Sequence, residues 1–470
     1  MKCVMGKIIS SGNEYDRMLV DDGKIIALDN EKTAPQDAEV IELAKNQVLI
    51  PPLADCHTHF FQTGIYLGAL DLSKISTKSE LFSFLRWATL NEYRIGEVVW
   101  AFGFDPLDNM PTADELQSLA PDVPIFLRRI DGHSCSLSSA AMKMLPAEFK
   151  NLPEDGIFSG EQQEKVVEYF LKKLDERTLI DAAFRVAEYA KSAGAFVVHS
   201  LVPFVEWAEL LLKIEEKLPV KLEIFVETTD VERVKSLGLN QIGGCILLDG
   251  SFGSHTAAVS LPYDDEPQKN GVLYFTDDKL KKFFQAALKN DIAVAMHAIG
   301  DRAIEQYLRV AEYVAGENSL RRWRIEHSEL ISPEQIDRAA NLGLNLSVQP
   351  AFENRWGGSD GLYAKRLGER WRRTNPFRRE VDSGILLLGG SDSYITPIDP
   401  VSGIFYAMHH PNERQRLNFK KSLEMFSKNV GIWMEKNFGE FKIGKIAEGV
   451  IVDGGFDGES PPEFIVWGIV

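Results

Sequence analysis

The sequence predicts an α/β protein built on a (β/α)8 TIM-like barrel, with a small β-sandwich domain to which both termini contribute. The chain has 470 residues, which is enough for one large barrel and an accessory domain. Its middle part alternates apolar, β-branched runs with amphipathic stretches, a pattern typical of parallel strands joined by crossover helices. Short strand-like runs separated by turn residues occupy both ends.

Eight apolar runs are the predicted barrel strands. The first leads into Asp55-Cys56-His57-Thr58-His59, and the others span residues 196–199, 222–226, 245–248, 293–297, 323–327, 345–348 and 385–388. Two intervening helices have clear start signals. Ser332 before Pro333 predicts an N-cap followed by proline at the first helical position, and Thr178 opens a capping pattern for a helix that ends at Gly194.

The predicted domain organisation has three parts. Residues 1–50 and 437–470 form the composite β-sandwich, with a tight turn at Asp21-Asp22-Gly23. Residues 51–436 form the barrel. The stretch from about 75 to 177 is too long for one crossover connection and holds two further strand-like runs, at 98–104 and 125–129, so it is predicted to be an insertion after the first barrel strand.

The composition excludes several classes of partner. A net charge of -17 argues against nucleic acid or an anionic membrane surface, because both require clustered Lys and Arg. The N-terminus lacks a signal-peptide pattern, and no uncharged apolar run approaches the ~18 residues that span a bilayer. The four cysteines form no CxxC pair, which favours a reducing compartment. We therefore expect a cytoplasmic protein whose partner is a small molecule rather than nucleic acid or a membrane, with a homodimer as the default oligomeric state.

His57 and His59 form the most informative motif. Two imidazoles at positions i and i+2 of an extended strand point to the same side, so both can reach one cation. An isolated HxH pair is weak evidence, because most histidines are not ligands. Further residues of the same kind therefore decide whether the pair belongs to a metal site.

Three more predicted strands end in residues that can bind metal. His297 closes the fifth strand, His327 the sixth, and Gly390-Ser391-Asp392 the eighth. Each residue alone has an equally ordinary structural explanation, as a buried core histidine or a helix cap. Since catalytic residues of such barrels gather at the C-terminal ends of the strands, their joint placement predicts one metal site. Its ligand types suit zinc, manganese, iron or nickel.

These motifs also carry a family resemblance. The chain resembles the amidohydrolase superfamily and, within it, the YtcJ-like or amidohydrolase-3 group. The resemblance covers nearly the whole chain and rests on segments 55–59 (DCHTH), 131–134 (DGHS), 248–254 (LDGSFGS), 297–301 (HAIGD), 324–327 (RIEH), 347–350 (SVQP), 390–392 (GSD) and 444–448 (GKIAE).

The resemblance implies hydrolysis of an amide or similar C–N bond of a small molecule by metal-activated hydroxide. By that analogy His57, His59 and Asp392 hold one metal position, and His297 and His327 hold a second. One or two divalent ions are implied, with zinc the expected metal. Asp392 is the implied catalytic residue, which accepts the proton of the water and returns it to the leaving amine.

Cys245 departs from the pattern of the family it resembles. Many members carry a lysine, often carboxylated and bridging two metals, four residues before the Asp of the DGS motif, whereas this chain has Cys245 there. A thiolate can bind soft divalent metals, so Cys245 is a candidate ligand. The alternative is that Cys245 is a small buried apolar residue and one metal position stays empty.

Residues that recognise the substrate are harder to identify. His133, in the predicted insertion, resembles the family's DGHS histidine and is a candidate to close over the site, although an ordinary loop histidine is an equal alternative. Asp301 and Arg324 lie beside predicted ligands in the sequence. They are expected either to orient those ligands or to bind polar groups of the substrate.

Two other function classes remain open. Deamination of a heterocyclic amine uses the same ligands, and release of ammonia distinguishes it from amide hydrolysis. A non-catalytic regulatory protein that retains the fold is the third hypothesis, since fold alone does not determine function. Against it, every predicted ligand except the bridging lysine is intact. The leading hypothesis is a metal-dependent hydrolase acting on C–N bonds other than peptide bonds.

Overall fold

The computed structural model describes residues 1–10, 12–104, 110–129, 132, 134–149, 151–316, 318–456 and 458–468. His133 lies outside the described residues. The chain divides into two compact units: Met1–Thr58 together with Glu188–Val470, and His59–Ala187. The division falls at the last residue of a strand, Leu53–His59.

The strands, numbered along the chain, are β1 (Lys2–Ser10), β2 (Asn13–Asp21), β3 (Lys24–Asp29), β4 (Glu39–Glu42), β5 (Gln47–Ile50), β6 (Leu53–His59), β7 (Leu70–Asp71), β8 (Val99–Phe104), β9 (Ile125–Arg129), β10 (Ser134–Leu137), β11 (Ile157–Ser159), β12 (Ala195–Val202), β13 (Lys221–Val226), β14 (Gln241–Leu247), β15 (Ala293–Ala298), β16 (Arg324–His327), β17 (Asn345–Val348), β18 (Leu387–Gly389), β19 (Glu448–Asp453) and β20 (Glu463–Gly468).

The helices are α1 (Phe60–Leu67), α2 (Lys78–Leu90), α3 (Ala113–Leu119), α4 (Ser139–Met142), α5 (Gly160–Lys172), α6 (Glu176–Ser192), α7 (Val205–Ile214), α8 (Val231–Ser236), α9 (Asp277–Lys289), α10 (Asp301–Ala315), α11 (Pro333–Leu342), α12 (Pro350–Trp356), α13 (Leu362–Leu367), α14 (Phe377–Asp382), α15 (Pro400–Met408), α16 (Phe419–Phe426) and α17 (Lys428–Trp433). None of the described helices is long and apolar enough to cross a membrane.

Strands from both ends of the chain share one seven-stranded sheet. Its order is β20-β19-β5-β1-β2-β3, with β4 paired to β1. The predicted tight turn is confirmed, since Asp22 and Gly23 have φ angles of 45° and 68° and connect β2 to β3. A buried apolar cluster that includes Val4, Leu49 and Trp467 packs in this part of the unit. The two-layered packing of a β-sandwich stays a prediction.

All eight runs predicted to form the barrel are strands, namely β6 and β12 to β18. They lie in two sheets, β13-β12-β6 and β14-β15-β16-β17-β18, so neighbours in the chain are neighbours in space. Within these sheets β12 pairs in parallel with β13, and β14 to β18 pair in parallel with one another.

The ladder is not closed in the way that the sequence predicts. Among the described residues, β13 and β14 share no ladder, and a single parallel bridge between Thr58 and Ser393 joins β6 to the segment after β18. Two consecutive glycines of β14, Gly243 and Gly244, have φ angles of 97° and 93°. This conformation is not that of a regular strand, and it coincides with a register shift between Gly243 and Leu247 in the pairing of β14 with β15.

The predicted helix starts are right in one case and wrong in the other. Helix α11 begins at Pro333 after a capping box between Ser332 and Gln335, as expected. Helix α6 begins at Glu176, two residues before Thr178. Asp175 accepts a hydrogen bond from the Thr178 N–H at 2.8 Å, so the cap is the aspartate rather than the threonine.

The second unit, His59–Ala187, has a sheet of its own. Its order is β11-β10-β9-β8-β7, and a buried core that includes Leu81, Val99 and Leu127 packs against it. The two further strand-like runs predicted in the insertion are confirmed as strands β8 and β9. The insertion expected at about 75–177 falls within this unit.

Candidate metal centre

The candidate ligands lie at or near the C-terminal ends of the strands that were predicted to form the barrel. His57 and His59 lie on β6, Cys245 on β14, His297 on β15 and His327 on β16, and Asp392 follows β18. Two groups have potential ligand atoms within 4.8 Å of one another. One group contains His57, Cys245 and His327, and the other contains His57, His59 and Asp392.

His57 has a defined orientation in the interior. Its ring is fully buried, and Nδ1 lies 2.6 Å from Oε2 of Glu326. Burial alone would raise the pKa of Glu326, but Arg324 and His57 hold that pKa below its usual range, so the glutamate is an ionised acceptor. Nδ1–H therefore donates to Glu326. The other nitrogen, Nε2, lies 3.2 Å from Oδ1 of Asp392.

Asp392 is held in place by the backbone of β6, the first of the strands predicted to form the barrel. Its N–H donates to the carbonyl oxygen of His57 at 2.8 Å. Its φ angle of 56° is uncommon for a residue other than glycine. The carboxylate of Asp55 accepts from the N–H groups of both His57 and Ser391, each at 3.1 Å. These bonds fix the position of Asp392 relative to His57.

His327 is oriented by Gln349. Its Nδ1–H donates to Oε1 of Gln349 at 2.8 Å, so the lone pair of the ring lies on Nε2. Burial, and then the neighbouring His297, lower the pKa of His327, which favours the neutral ring. A buried neutral imidazole whose proton is held by a protein acceptor is suited to bind a metal ion through its other nitrogen.

His297 and Cys245 face each other. Nε2–H of His297 donates to the carbonyl oxygen of Gly250 at 3.1 Å, which leaves Nδ1 directed toward Cys245 Sγ at 3.8 Å. The rings of His297 and His327 have centroids 4.5 Å apart. Imidazole, thiolate and carboxylate are together the donor set that zinc prefers. The residues of this chain therefore fit a divalent metal ion.

Two residues predicted to act near the substrate are engaged by the protein itself. Asp301, at the start of α10, accepts from the N–H of Ser260 at 2.8 Å and from its hydroxyl. Arg324 is fully buried, and its guanidinium contacts Glu326, His199 and the Cys56 carbonyl. The contacts of Arg324 suit the orienting alternative, because Glu326 in turn contacts His57. The contacts of Asp301 are with Ser260, and a role of either residue in substrate binding stays a prediction.

Sequence reasoning did not nominate three residues that shape the centre. Glu326 and Gln349 hold the Nδ1–H groups of His57 and His327. Asp249 accepts from the N–H groups of Ala258, Ile299 and Gly300 and so anchors the segment after His297. A sequence signal that identifies Glu326 and Asp249 is an acidic residue within or directly after an apolar strand, because such a charge is buried only when it is paired.

The fold and the donor set are those of an α/β protein with a candidate metal centre at its strand ends. The sequence model described as amidohydrolase family, Amidohydro_3, matches residues 40–453. The chain belongs to this family and is an amidohydrolase-family hydrolase.

Relatives and solved structures agree with this assignment. The chain is 28% identical to the putative amidohydrolase YtcJ of Bacillus subtilis, over 95% of this chain and 91% of that protein. It is 22% identical to the N-substituted formamide deformylase of Arthrobacter pascens, over 80% and 76% of the two chains. An uncharacterized metal-dependent hydrolase from Pyrococcus furiosus has the same fold, with a TM-score of 0.81, 24% identity and coverage of 97% and 99%.

Proposed function

We propose that the protein hydrolyses a carbon–nitrogen bond of a small molecule, in an N-formyl, N-acyl or cyclic amide group, with bound divalent metal, zinc being the expected ion. One observation carries the proposal. Nitrogen, sulfur and carboxylate atoms from four separate strand ends form two groups, in each of which the potential ligand atoms lie within 4.8 Å of one another. Similarity to a protein named N-substituted formamide deformylase favours an N-formyl or N-acyl substrate.

In this proposal each residue has a specific task. A divalent ion bound here would polarise the substrate carbonyl and lower the pKa of a water molecule. His57 and His327 offer their Nε2 atoms to it, and Cys245 offers its sulfur. Asp392 Oδ1, 3.2 Å from His57 Nε2, accepts the proton of the attacking water and then delivers it to the nitrogen of the leaving amine.

A substrate panel tests the proposal. Zinc-loaded protein is incubated with an N-formyl amine, an N-acyl amine, a cyclic amide and an amino-substituted heterocycle, and the released acid, amine and ammonia are quantified. We expect the acid and amine from at least one of the first three. Ammonia from the heterocycle alone would replace the proposal with deamination, and no product from any of them would count against an enzyme. Any loss of product in the variant Asp392→Asn is compared with the activity of Asp360→Asn, which makes the same substitution at an exposed position.

A further inference from the structure

A buried ion pair between Glu326 and Arg324 contacts His57 on the side of its Nδ1 atom. Glu326 and Arg324 are both fully buried. The two oxygens of Glu326 have different partners: Oε1 accepts from Nε of Arg324, and Oε2 accepts from Nδ1 of His57. The carboxylate therefore connects the guanidinium to the imidazole.

Arg324 is itself held on several sides. One terminal nitrogen lies 2.7 Å from Nδ1 of His199, and the other donates to the Cys56 carbonyl at 3.1 Å. The guanidinium carbon lies 4.3 Å from the ring centroid of Phe225 and 5.2 Å from that of Trp433. Such contacts hold a planar cation in one orientation.

His199 acts as an acceptor in this arrangement. A guanidinium can only donate, so Nδ1 of His199 must be unprotonated. Burial and the charge of Arg324 hold the pKa of His199 well below its usual value, which agrees with a neutral ring. The cluster thus contains a buried cation, Arg324, paired with a buried anion, Glu326, and a neutral His199, and such pairing is what a buried charge requires.

We propose that Arg324 and Glu326 are positioning residues that set the tautomer and ring orientation of His57 and thereby the affinity of the centre for its metal. Glu326 accepts the Nδ1 proton of His57, so Nε2, on the side of Asp392, is the ring nitrogen that is presented to a metal ion. Arg324 holds Glu326 in place and balances its charge. The inference rests on the proposed function, because it concerns the same metal centre.

The test compares zinc affinity with fold stability. Glu326→Gln removes the charge and keeps the shape. We expect it to bind zinc about 10–100-fold more weakly in competition with a chelator, the range typical of such outer contacts, and to change the visible absorption spectrum of the cobalt-substituted protein. Thermal unfolding of the metal-free variant reports separately on the fold.

Glu353→Gln is the matched control. Glu353 is also a buried carboxylate, but its hydrogen bonds are with Thr374 and Asn375. The Glu353→Gln variant should lower the affinity for zinc far less than Glu326→Gln does. If Glu326→Gln does not fold, Arg324→Lys serves instead. Lysine keeps the positive charge but cannot make all three contacts of the guanidinium. This variant should weaken zinc binding, though less than we expect for Glu326→Gln.

The outcomes separate this inference from the proposed function. Wild-type zinc affinity and an unchanged cobalt spectrum in folded Glu326→Gln would overturn the positioning role, even if the wild-type protein hydrolyses amides. Weakened zinc binding in Glu326→Gln but not in Glu353→Gln would support it, even if no amide is turned over and the proposed reaction is wrong. A wild-type protein that binds no divalent metal would overturn both.

Discussion

At the scale of single residues, Asp392 has the most specific proposed role. Asp392→Asn keeps the size of the side chain but cannot accept a proton from water. We expect kcat to fall by roughly 100- to 10,000-fold, the usual contribution of a general base. Initial rates with the substrate identified by the panel measure this effect. Asp382→Asn, at an exposed position, should keep full activity, and a loss of less than tenfold in Asp392→Asn would contradict the assignment.

The sequence allowed the candidate ligands of the centre to be predicted, but not their supporting contacts. His57, His297, His327 and Asp392 could be nominated because each ends a run that is apolar enough to be recognised as a strand. The partner of an imidazole depends on which strands are neighbours and on which way each ring is turned. Glu326 is 269 positions from His57, so no local pattern indicates their contact.

At the scale of elements, the contact between β6 and the end of β18 holds the centre together. Gly390 leaves no room for a side chain, since an added Cβ would lie 2.7 Å from the His57 backbone nitrogen. We expect Gly390→Ala to lower the free energy of unfolding by about 1–3 kcal/mol, because strand β6 must shift. Urea denaturation measures this difference.

A glycine at an open position is the control for this experiment. An added Cβ at Gly468 would meet nothing closer than Glu448 Cγ at 3.9 Å. Gly468→Ala should therefore leave the unfolding midpoint nearly unchanged. Equal stability of Gly390→Ala and the wild-type protein would mean that β6 and the end of β18 are not held as tightly as the structure indicates.

The strands were more predictable than their closure. Runs of apolar, β-branched residues identify a buried strand from its own composition, and all eight runs were therefore found. Whether β13 and β14 form a ladder depends on the relative positions of the two backbones, which composition does not specify. The start of α6 was misplaced for a similar reason, because Asp175 and Thr178 are both good caps.

At the scale of the whole molecule, buried carboxyl groups make stability depend on pH. Glu380 of α14 is fully buried, its carboxyl oxygens have no hydrogen-bond partner among the described residues, and burial raises its pKa to about 8. In the unfolded chain the group ionises near its ordinary value of 4.5. Between these values the folded protein holds a proton that the unfolded chain has lost, so this group's contribution to stability falls as pH rises.

Glu380→Gln isolates this contribution. The contribution of Glu380 to the free energy of unfolding is fully present below about pH 4.5. It decreases by up to roughly 1.4 kcal/mol per pH unit as the pH rises toward 8, and it changes little at higher pH. The stability of the variant relative to wild type should therefore increase from pH 5 to pH 8. Chemical denaturation across this range measures the difference. Glu459→Gln, at an exposed position, is the control, and parallel pH profiles for wild type and Glu380→Gln would contradict the prediction.

The central claim is that His57, Cys245, His327 and Asp392 belong to a centre that holds divalent metal. Elemental analysis of the purified protein tests it most directly, on wild type, Cys245→Ala and Cys3→Ala. Cys3 is a buried thiol in the terminal sheet and serves as the matched control. We predict at least one equivalent of divalent metal in wild type and Cys3→Ala, and a clear loss in Cys245→Ala. The same metal content in all three proteins would exclude Cys245 as a ligand, and the absence of metal after reconstitution of wild type would contradict the claim as a whole.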